Sequence, residues 1–436
     1  MKCAGKRVLV AGMQASGISV TYLLMREGAS VTCYDDNASV NITGFLCVHS
    51  VDDVNFDETD FVVVSPSISK YHKIIGICKE KGIKIYSELE IGCSFLDCKK
   101  IMVTGTNGKT TSVTMIDKLL SCVGFKTKTM GNIGYPVSQV ALDGTKLDYA
   151  VIEVSSFQLE HTDKLKADIA VVLNLAPDHL DRYDDYRDYV DTKRNILKNQ
   201  TKNDYFVYNN DDGAVRSFLK NTNANPIPVS TRTRVSDAYI KDNFFMLDDS
   251  SVCHVKDCRL RGEHNKFNLL VAMNVGFLCG ARKEHMAKLV REYSLLPNRI
   301  EYVTTINGKN YYNDSKGTNI HACRYAISSL DGKIGLIMGG SDKNEDFCDF
   351  FENIDDKVVC VAITGANAEK IYNSAQKMGF CDANIYPDLA TCVQKLSENP
   401  LVENVLLSPC CASFDRFRSY AERGEKFKEI VYAIKV

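Results

Sequence analysis

The chain has 436 residues, 45% of them apolar and 25% charged, the make-up of a globular protein too long for one core, so two or three domains are expected. Its 53 basic and 55 acidic residues leave a formal charge of −2, which excludes a global basic field for nucleic acid and requires any polyanionic ligand to be met by local charges. No apolar run approaches the roughly 18 residues that span a bilayer, the first residues lack a signal-peptide pattern, and 17 scattered cysteines fit free thiols in a reducing cytoplasm.

The first ninety residues alternate strands and helices. Arg7 to Ala11 reads as a strand, Gly12 to Gly17 as a turn, Ile18 to Glu27 as a helix, Val31 to Tyr34 as a strand ending at Asp35, and Phe61 to Val64 as a strand ending at Ser65-Pro66. This is a doubly wound parallel pattern, whose ligands sit beyond the carboxyl ends of the strands. The turn has only the outer glycines of G-x-G-x-x-G, so a diphosphate on its amides is better supported than a nicotinamide cofactor.

A second α/β unit begins near Cys98, with strands at Lys99 to Thr104, Tyr149 to Val154, Ile169 to Leu173 and Tyr205 to Asn209 and a helix from Tyr186 to Leu197. Pro226 to Leu260 is irregular and strand-rich, and a helix is expected from about His264 to Cys279. The third unit starts near Leu296-Pro297, with strands at Tyr311 to Asn313, Gly335 to Met338, Val358 to Ile363 and Asn404 to Leu407.

The most informative stretch is Val103 to Thr111. A short apolar strand runs into Gly105-Thr106-Asn107-Gly108-Lys109-Thr110-Thr111, in which two glycines permit a tight turn and a lysine opens a helix. Backbone N–H groups, the helix start and a mobile cation together hold a triphosphate, and Thr110 supplies the hydroxyl that such loops place on Mg²⁺. The general phosphate-loop pattern would want glycine at Val103. Glu153 ends the strand from Tyr149, where it either reaches a magnesium ion or is simply solvated. His179, in Asn174 to Arg182, binds metal or caps a turn, and Lys193 taken alone is a surface lysine.

Taken together and in order, these segments closely resemble the Mur ligases. The resemblance runs through Gly131-Asn132-Ile133-Gly134, Glu153 to Glu160, Asp178 to Arg182, Gly262 to Asn268, Leu296 to Arg299, Asn313 to Asn319, Gly339 to Lys343 and Ser408 to Asp415. Several of these are shared with folylpolyglutamate synthetases. Ser155 to Glu160 and Ser408 to Asp415 look like the branch that adds D-glutamate.

The resemblance implies an α/β protein of three domains: residues 1–93 a Rossmann-like UDP-binding domain, 94–297 a central ATPase-like domain and 298–436 a C-terminal dinucleotide-fold-like domain. It implies a cytoplasmic, monomeric enzyme, not inserted in a membrane, that uses ATP and two Mg²⁺ ions to join UDP-N-acetylmuramoyl-L-alanine to D-glutamate. An acyl phosphate forms, the amine attacks it, and a tetrahedral intermediate collapses, with the third domain closing to exclude water.

By the same resemblance Gly105 to Thr111 hold ATP, Lys109 its β- and γ-phosphates, and Thr110 and Glu153 the first Mg²⁺. His179 takes the second, supported by a carbamylated Lys193. Asn265, Asn268, Arg299, Asp314 and Lys316 surround ATP and the intermediate. Thr318, Lys343, Ser413, the Phe414 backbone and Tyr420 serve D-glutamate. Ser16, Gly17, Asp35, Asp36, Ser65, Pro66, Asn132 and Ser156 contact the sugar nucleotide. Asn37, Cys410 and Tyr420 depart from arginine, alanine and phenylalanine of relatives. The rivals are a ligase for another amino acid or for folate, a nucleotide-binding regulator that has lost catalysis, and a dehydrogenase.

Overall fold

The computed structural model describes residues 2–434 apart from 41, 43, 179–181, 259, 261, 294–296 and 342–345, and the side chains of Asn221 and His321 are also not described. His179 and Lys343 therefore lie outside the described residues. The chain divides into two compact units, Met1–Cys258 with Phe267–Glu292, and Arg259–Lys266 with Tyr293–Val436.

The first unit holds two parallel sheets. One comprises β1 (Arg7–Ala11), β2 (Ser30–Tyr34), β3 (Cys47–Val48), β4 (Phe61–Val64) and β5 (Lys84–Ser87), in the order β3-β2-β1-β4-β5. The other comprises β6 (Lys99–Thr104), β7 (Thr127–Gly131), β8 (Tyr149–Glu153), β9 (Ile169–Val172), β10 (Tyr205–Asn209) and β11 (Asn225–Val229), in the order β11-β10-β9-β6-β8-β7. Strands β4, β8 and β9 are buried along their whole length, as parallel strands covered on both faces must be. Pro226 and Pro228 fall on β11, an edge strand that pairs only with β10, where a missing N–H costs least. A small antiparallel sheet of β12 (Ala238–Lys241), β13 (Phe244–Leu247) and β14 (Ser250–His254) occupies the stretch read as irregular.

One apolar core joins the two parallel sheets, running from Val8, Val10 and Val63 to Met102, Ile152 and Val172. Buried carboxylates fasten it. Glu88 accepts from the Ser138 N–H at 2.7 Å and its hydroxyl at 2.5 Å, and Glu90 accepts from the N–H groups of Asp163, Lys164 and Leu165.

The second unit is a six-stranded sheet of β15 (Glu301–Ile306), β16 (Lys309–Asn313), β17 (Ile334–Met338), β18 (Val358–Ile363), β19 (Ala383–Ile385) and β20 (Asn404–Leu407), in the order β15-β16-β20-β17-β18-β19. Only the β15–β16 pair is antiparallel. Separate apolar clusters around Leu336 and Leu406 and around Ile337 and Leu407 cover its two faces.

Candidate active site

Central strand β6 delivers the phosphate loop. It ends at Thr104, the chain turns through Gly105 to Gly108, and the helix Lys109–Val123 begins. Gly108 has φ +82°, and a Cβ there would lie 2.8 Å from Asn268 Oδ1, so glycine is required by both conformation and space. The loop is fixed from below. Thr106 N–H donates to Asn174 O at 2.9 Å, Asn107 N–H to Asn174 Oδ1 at 2.8 Å, and the Thr106 hydroxyl shares a 3.0 Å hydrogen bond with the Tyr189 hydroxyl. Lys109 Nζ donates to the carbonyls of Gly105 and Thr106 at 2.8 and 2.9 Å.

Glu153 ends β8, opposite Val103 on β6 and Gly131 on β7. It is 3% exposed, so the solvated reading of this carboxylate is corrected, and it accepts from Asn132 Nδ2 at 2.8 Å. Lys193 is likewise not a surface lysine. It lies in the helix Tyr186–Arg194, is 2% exposed, and donates to Thr104 Oγ1 at 3.3 Å and Gly105 O at 3.2 Å, with its Nζ 4.8 Å from the Tyr189 ring. Burial, then repulsion by Lys109, hold its pKa well below the usual lysine value against the pull of Asp178 and Glu153. The expected Tyr186–Leu197 helix finishes as a 3₁₀ turn at Asn195–Leu197.

Thr110 and Thr111 are buried in the first helical turn, and Asn268 accepts from the Ser112 hydroxyl at 3.2 Å. Ser156 opens the short helix Ser156–Leu159, whose start is closed by a reciprocal pair between Ser155 and Gln158. In the N-terminal sheet, Asp35 accepts from Met13 N–H at 2.7 Å, and Asp36 from the Tyr34 hydroxyl. Helix Ala15–Arg26 begins three residues earlier than expected and carries Ser16 and Gly17. A Cβ on Gly17 would stand 1.9 Å from Gly12 O. Ser65 is buried at the end of β4 and Pro66 follows half-buried.

The second unit gathers its own set. Asp314 follows β16, accepts from the Ser408 hydroxyl at 2.7 Å and from Ile300 N–H at 3.3 Å, and is pushed up to about 7 by burial, which outweighs those bonds and Arg299. Lys316 Nζ lies 5.1 Å from the Tyr420 ring centroid. Thr318 is half-buried, Ser413 and Asn265 are buried, and Phe414 is 75% exposed.

Two family models match the sequence: the Mur ligase middle domain over residues 103–276 and the Mur ligase glutamate ligase domain over 298–409. Along its full length the chain is 34% identical to the UDP-N-acetylmuramoylalanine--D-glutamate ligase of Lachnoclostridium phytofermentans, covering 100% of both chains. It is 35% identical to the enzyme of the same name from Caldanaerobacter subterraneus, covering 99% of each. The chain belongs to the Mur ligase family. Solved structures agree on the fold: MurF ligase from Thermotoga maritima in complex with ADP has a TM-score of 0.61 at 17% identity, covering 98% of this chain and 94% of that one. UDP-N-acetylmuramate-alanine ligase from the same organism has a TM-score of 0.61 at 15% identity, covering 99% and 100%.

As a Mur ligase this protein is an ATP-dependent, amide-forming enzyme of peptidoglycan precursor synthesis, with the three-domain α/β fold of that family. Among the ordering residues that the sequence does not reveal is Arg423, on the helix Tyr420–Tyr432. Its buried guanidinium donates to Ser315 Oγ and O at 2.9 and 2.8 Å and to Cys411 O at 3.0 Å, tying the loop after β16 to the loop after β20. Burial draws its pKa down to about 10. The available signal was an arginine three residues into a helix that begins at a motif position, which alone reads as a solvated face.

Proposed function

We propose that this Mur ligase joins D-glutamate to UDP-N-acetylmuramoyl-L-alanine. The observation that carries the reading is the buried, depressed Lys193 against the phosphate-loop backbone, in a chain that matches the D-glutamate-adding enzymes from end to end. A cation with so little water around it is poorly suited to staying an ammonium. As a neutral amine it attacks CO₂, releases a proton and becomes an anionic carbamate.

The residues fit divalent magnesium: Thr110 and Glu153 are hard oxygen donors beside a glycine loop, and a phosphate-bound magnesium needs few protein ligands. Thr110 and Glu153 would hold one ion and His179 with carbamylated Lys193 a second, and bound magnesium would screen the repulsion between the γ-phosphate and the substrate carboxylate. The loop amides and Lys109 bind the ATP phosphates. Asn265, Asn268, Arg299, Asp314 and Lys316 orient the nucleotide and the acyl phosphate. Thr318, Lys343, Ser413, the Phe414 backbone and Tyr420 receive D-glutamate, whose two carboxylates need charge-assisted donors. Ser16, Gly17, Asp35, Asp36, Ser65, Pro66, Asn132 and Ser156 hold the sugar nucleotide. Residues 1–93, 94–297 and 298–436 are the corresponding domains, and the enzyme is a cytoplasmic monomer; no helix among the described residues is long and apolar enough to cross a membrane.

The test is phosphate release with ATP, Mg²⁺ and UDP-N-acetylmuramoyl-L-alanine, comparing the enantiomers of glutamate. Turnover with D-glutamate alone is expected; turnover with the L form and none with the D form overturns the assignment. Lys193→Ala should abolish ligation, with partial recovery on adding a small carboxylic acid. Recovery with a simple amine instead would refute the carbamate.

A further inference from the structure

Arg182 makes a polar connection between the two parallel sheets of the first unit. Its guanidinium is gripped by Glu160, Nε to Oε1 at 2.9 Å and Nη2 to Oε2 at 2.8 Å, with side-chain exposures of 11% and 5%. The remaining donors cross to the N-terminal sheet: Nη1 to Pro66 O at 2.7 Å and Nη2 to Ile68 O at 2.8 Å. Its Cζ lies over the Phe157 ring, 4.1 Å from the centroid, and the Tyr183 hydroxyl donates to Glu160 Oε1 at 3.1 Å. Three further hydrogen bonds repeat the connection nearby, from Lys70 to Asp184 and Asp188 and from the Tyr71 hydroxyl to Asp184.

The acceptors of Arg182 are informative because they are backbone carbonyls of the segment that leaves β4 at Ser65. Glu160, its counter-ion, is the C-cap of the short helix Ser156–Leu159, which follows Glu153 at the end of β8 after Val154 and Ser155. A guanidinium with a fixed fork can satisfy a bidentate carboxylate and two carbonyls at once; an ammonium cannot. Ordinary cohesion between the sheets is already supplied by their shared apolar core and by Glu88 and Glu90. Arg182 adds register: it sets where the loop after β4 lies relative to the carboxyl end of β8.

We propose that Arg182, clamped by Glu160, is a positioning residue for the sugar nucleotide. It holds the Ser65–Ile68 segment so that the far, carboxylate end of the bound substrate meets the phosphate loop. This rests on the reading above that Ser65 and Pro66 serve that substrate. No contact between Arg182 and the substrate is required.

The test is steady-state kinetics of Arg182→Ala, Arg182→Lys and Glu160→Gln beside the unaltered enzyme. For Arg182→Ala the KM for UDP-N-acetylmuramoyl-L-alanine should rise at least about tenfold while the KM for ATP stays within about twofold. Arg182→Lys should be intermediate, and guanidine hydrochloride at a non-denaturing concentration should lower the raised KM of Arg182→Ala. If Arg182→Ala does not fold, the same KM split is required of Glu160→Gln and Arg182→Lys. An equal rise in both KM values, or an unchanged sugar-nucleotide KM with loss confined to melting temperature, overturns the positioning role while leaving the assigned activity standing. Absence of any saturable dependence on UDP-N-acetylmuramoyl-L-alanine in the unaltered enzyme overturns both.

Discussion

Replacing Lys193 by methionine should make the nucleotide-free protein more stable and inactive. The ammonium is 2% exposed and its pKa is depressed mainly by burial, so folding forces either a desolvated charge or the release of a proton. Methionine keeps the stem volume and meets the Tyr189 ring favourably. Among the described residues the losses are two long hydrogen bonds, at 3.2 and 3.3 Å, and neither acceptor is orphaned. Gly105 O still accepts from Lys109, and the Thr104 hydroxyl still donates to Val154 O. Each lost bond is worth about 0.5–1.5 kcal/mol, against an effective desolvation penalty of several kcal/mol per buried ion, so a net gain of about 1–3 kcal/mol is expected. The sign with pH is definite. Between the depressed pKa and about 10.4 the unfolded chain carries a proton that the folded one lacks, so stability of the unaltered protein climbs by about 1.4 kcal/mol per pH unit relative to Lys193→Met. Below the depressed pKa the deficit is constant and largest. Urea unfolding of the first unit from pH 6 to 9, in bicarbonate-free buffer, measures both quantities. A methionine variant less stable than the unaltered protein at pH 7, or with the same pH slope through that window, refutes the reasoning. Added bicarbonate should stabilise the lysine protein alone, since only the folded site gains from capturing CO₂.

Gly108→Ala places a Cβ 2.8 Å from Asn268 Oδ1 at φ +82°, and should raise the KM for ATP by at least about tenfold; an unchanged value would show that the loop does not hold the phosphates. Asp314→Asn tests a buried carboxyl pushed up to about 7. The folded state holds a proton there that the unfolded state sheds near pH 3.9, so stability of the second unit should fall by up to about 1.4 kcal/mol per unit as pH rises from about 4 to 7. The asparagine variant should lose that slope in urea midpoints, and retention of it would assign the slope elsewhere. Phe414→Ala, at a ring that is 75% exposed, should leave stability within about 0.5 kcal/mol and the D-glutamate KM within about twofold; a tenfold rise would mean that the ring, not the backbone, takes the amino acid.

Much of the scaffold was legible because parallel strands buried on both faces are short, apolar and β-branched. Arg7–Ala11, Phe61–Val64, Lys99–Thr104, Tyr205–Asn209, Val358–Ile363 and Asn404–Leu407 are found as expected. The short edge strand Cys47–Val48 and the polar Thr127–Gly131 were missed, since a strand at or near a sheet edge need not show that signature. The phosphate loop announced itself through its glycines. Lys193 did not: its helix is polar, and only Thr104, Gly105 and Tyr189, far away in sequence, turn its position into a buried one. Arg182 and Arg423 were hidden for a related reason. A buried arginine is defined by the carbonyls around it, and carbonyls leave no trace in residue identity.

These arginines share a physical logic with Lys193 but opposite chemistry. Arg423 spends its donors on Ser315, Cys411, Gly339 and Ala412, and Arg182 on Glu160, Pro66 and Ile68, so each remains a satisfied guanidinium and acts by fixing backbone. Among the described residues Lys193 donates to a hydroxyl and a carbonyl and lies against an aromatic face, with burial and Lys109 outweighing the attraction of Asp178 and Glu153. A guanidinium resists deprotonation and suits a scaffold, whereas an ammonium shifts its pKa when desolvated and suits a group that reacts. The molecule thus uses arginine where geometry must be permanent and lysine where a proton must leave, and exchanging either type for the other should impair its role even where charge is kept.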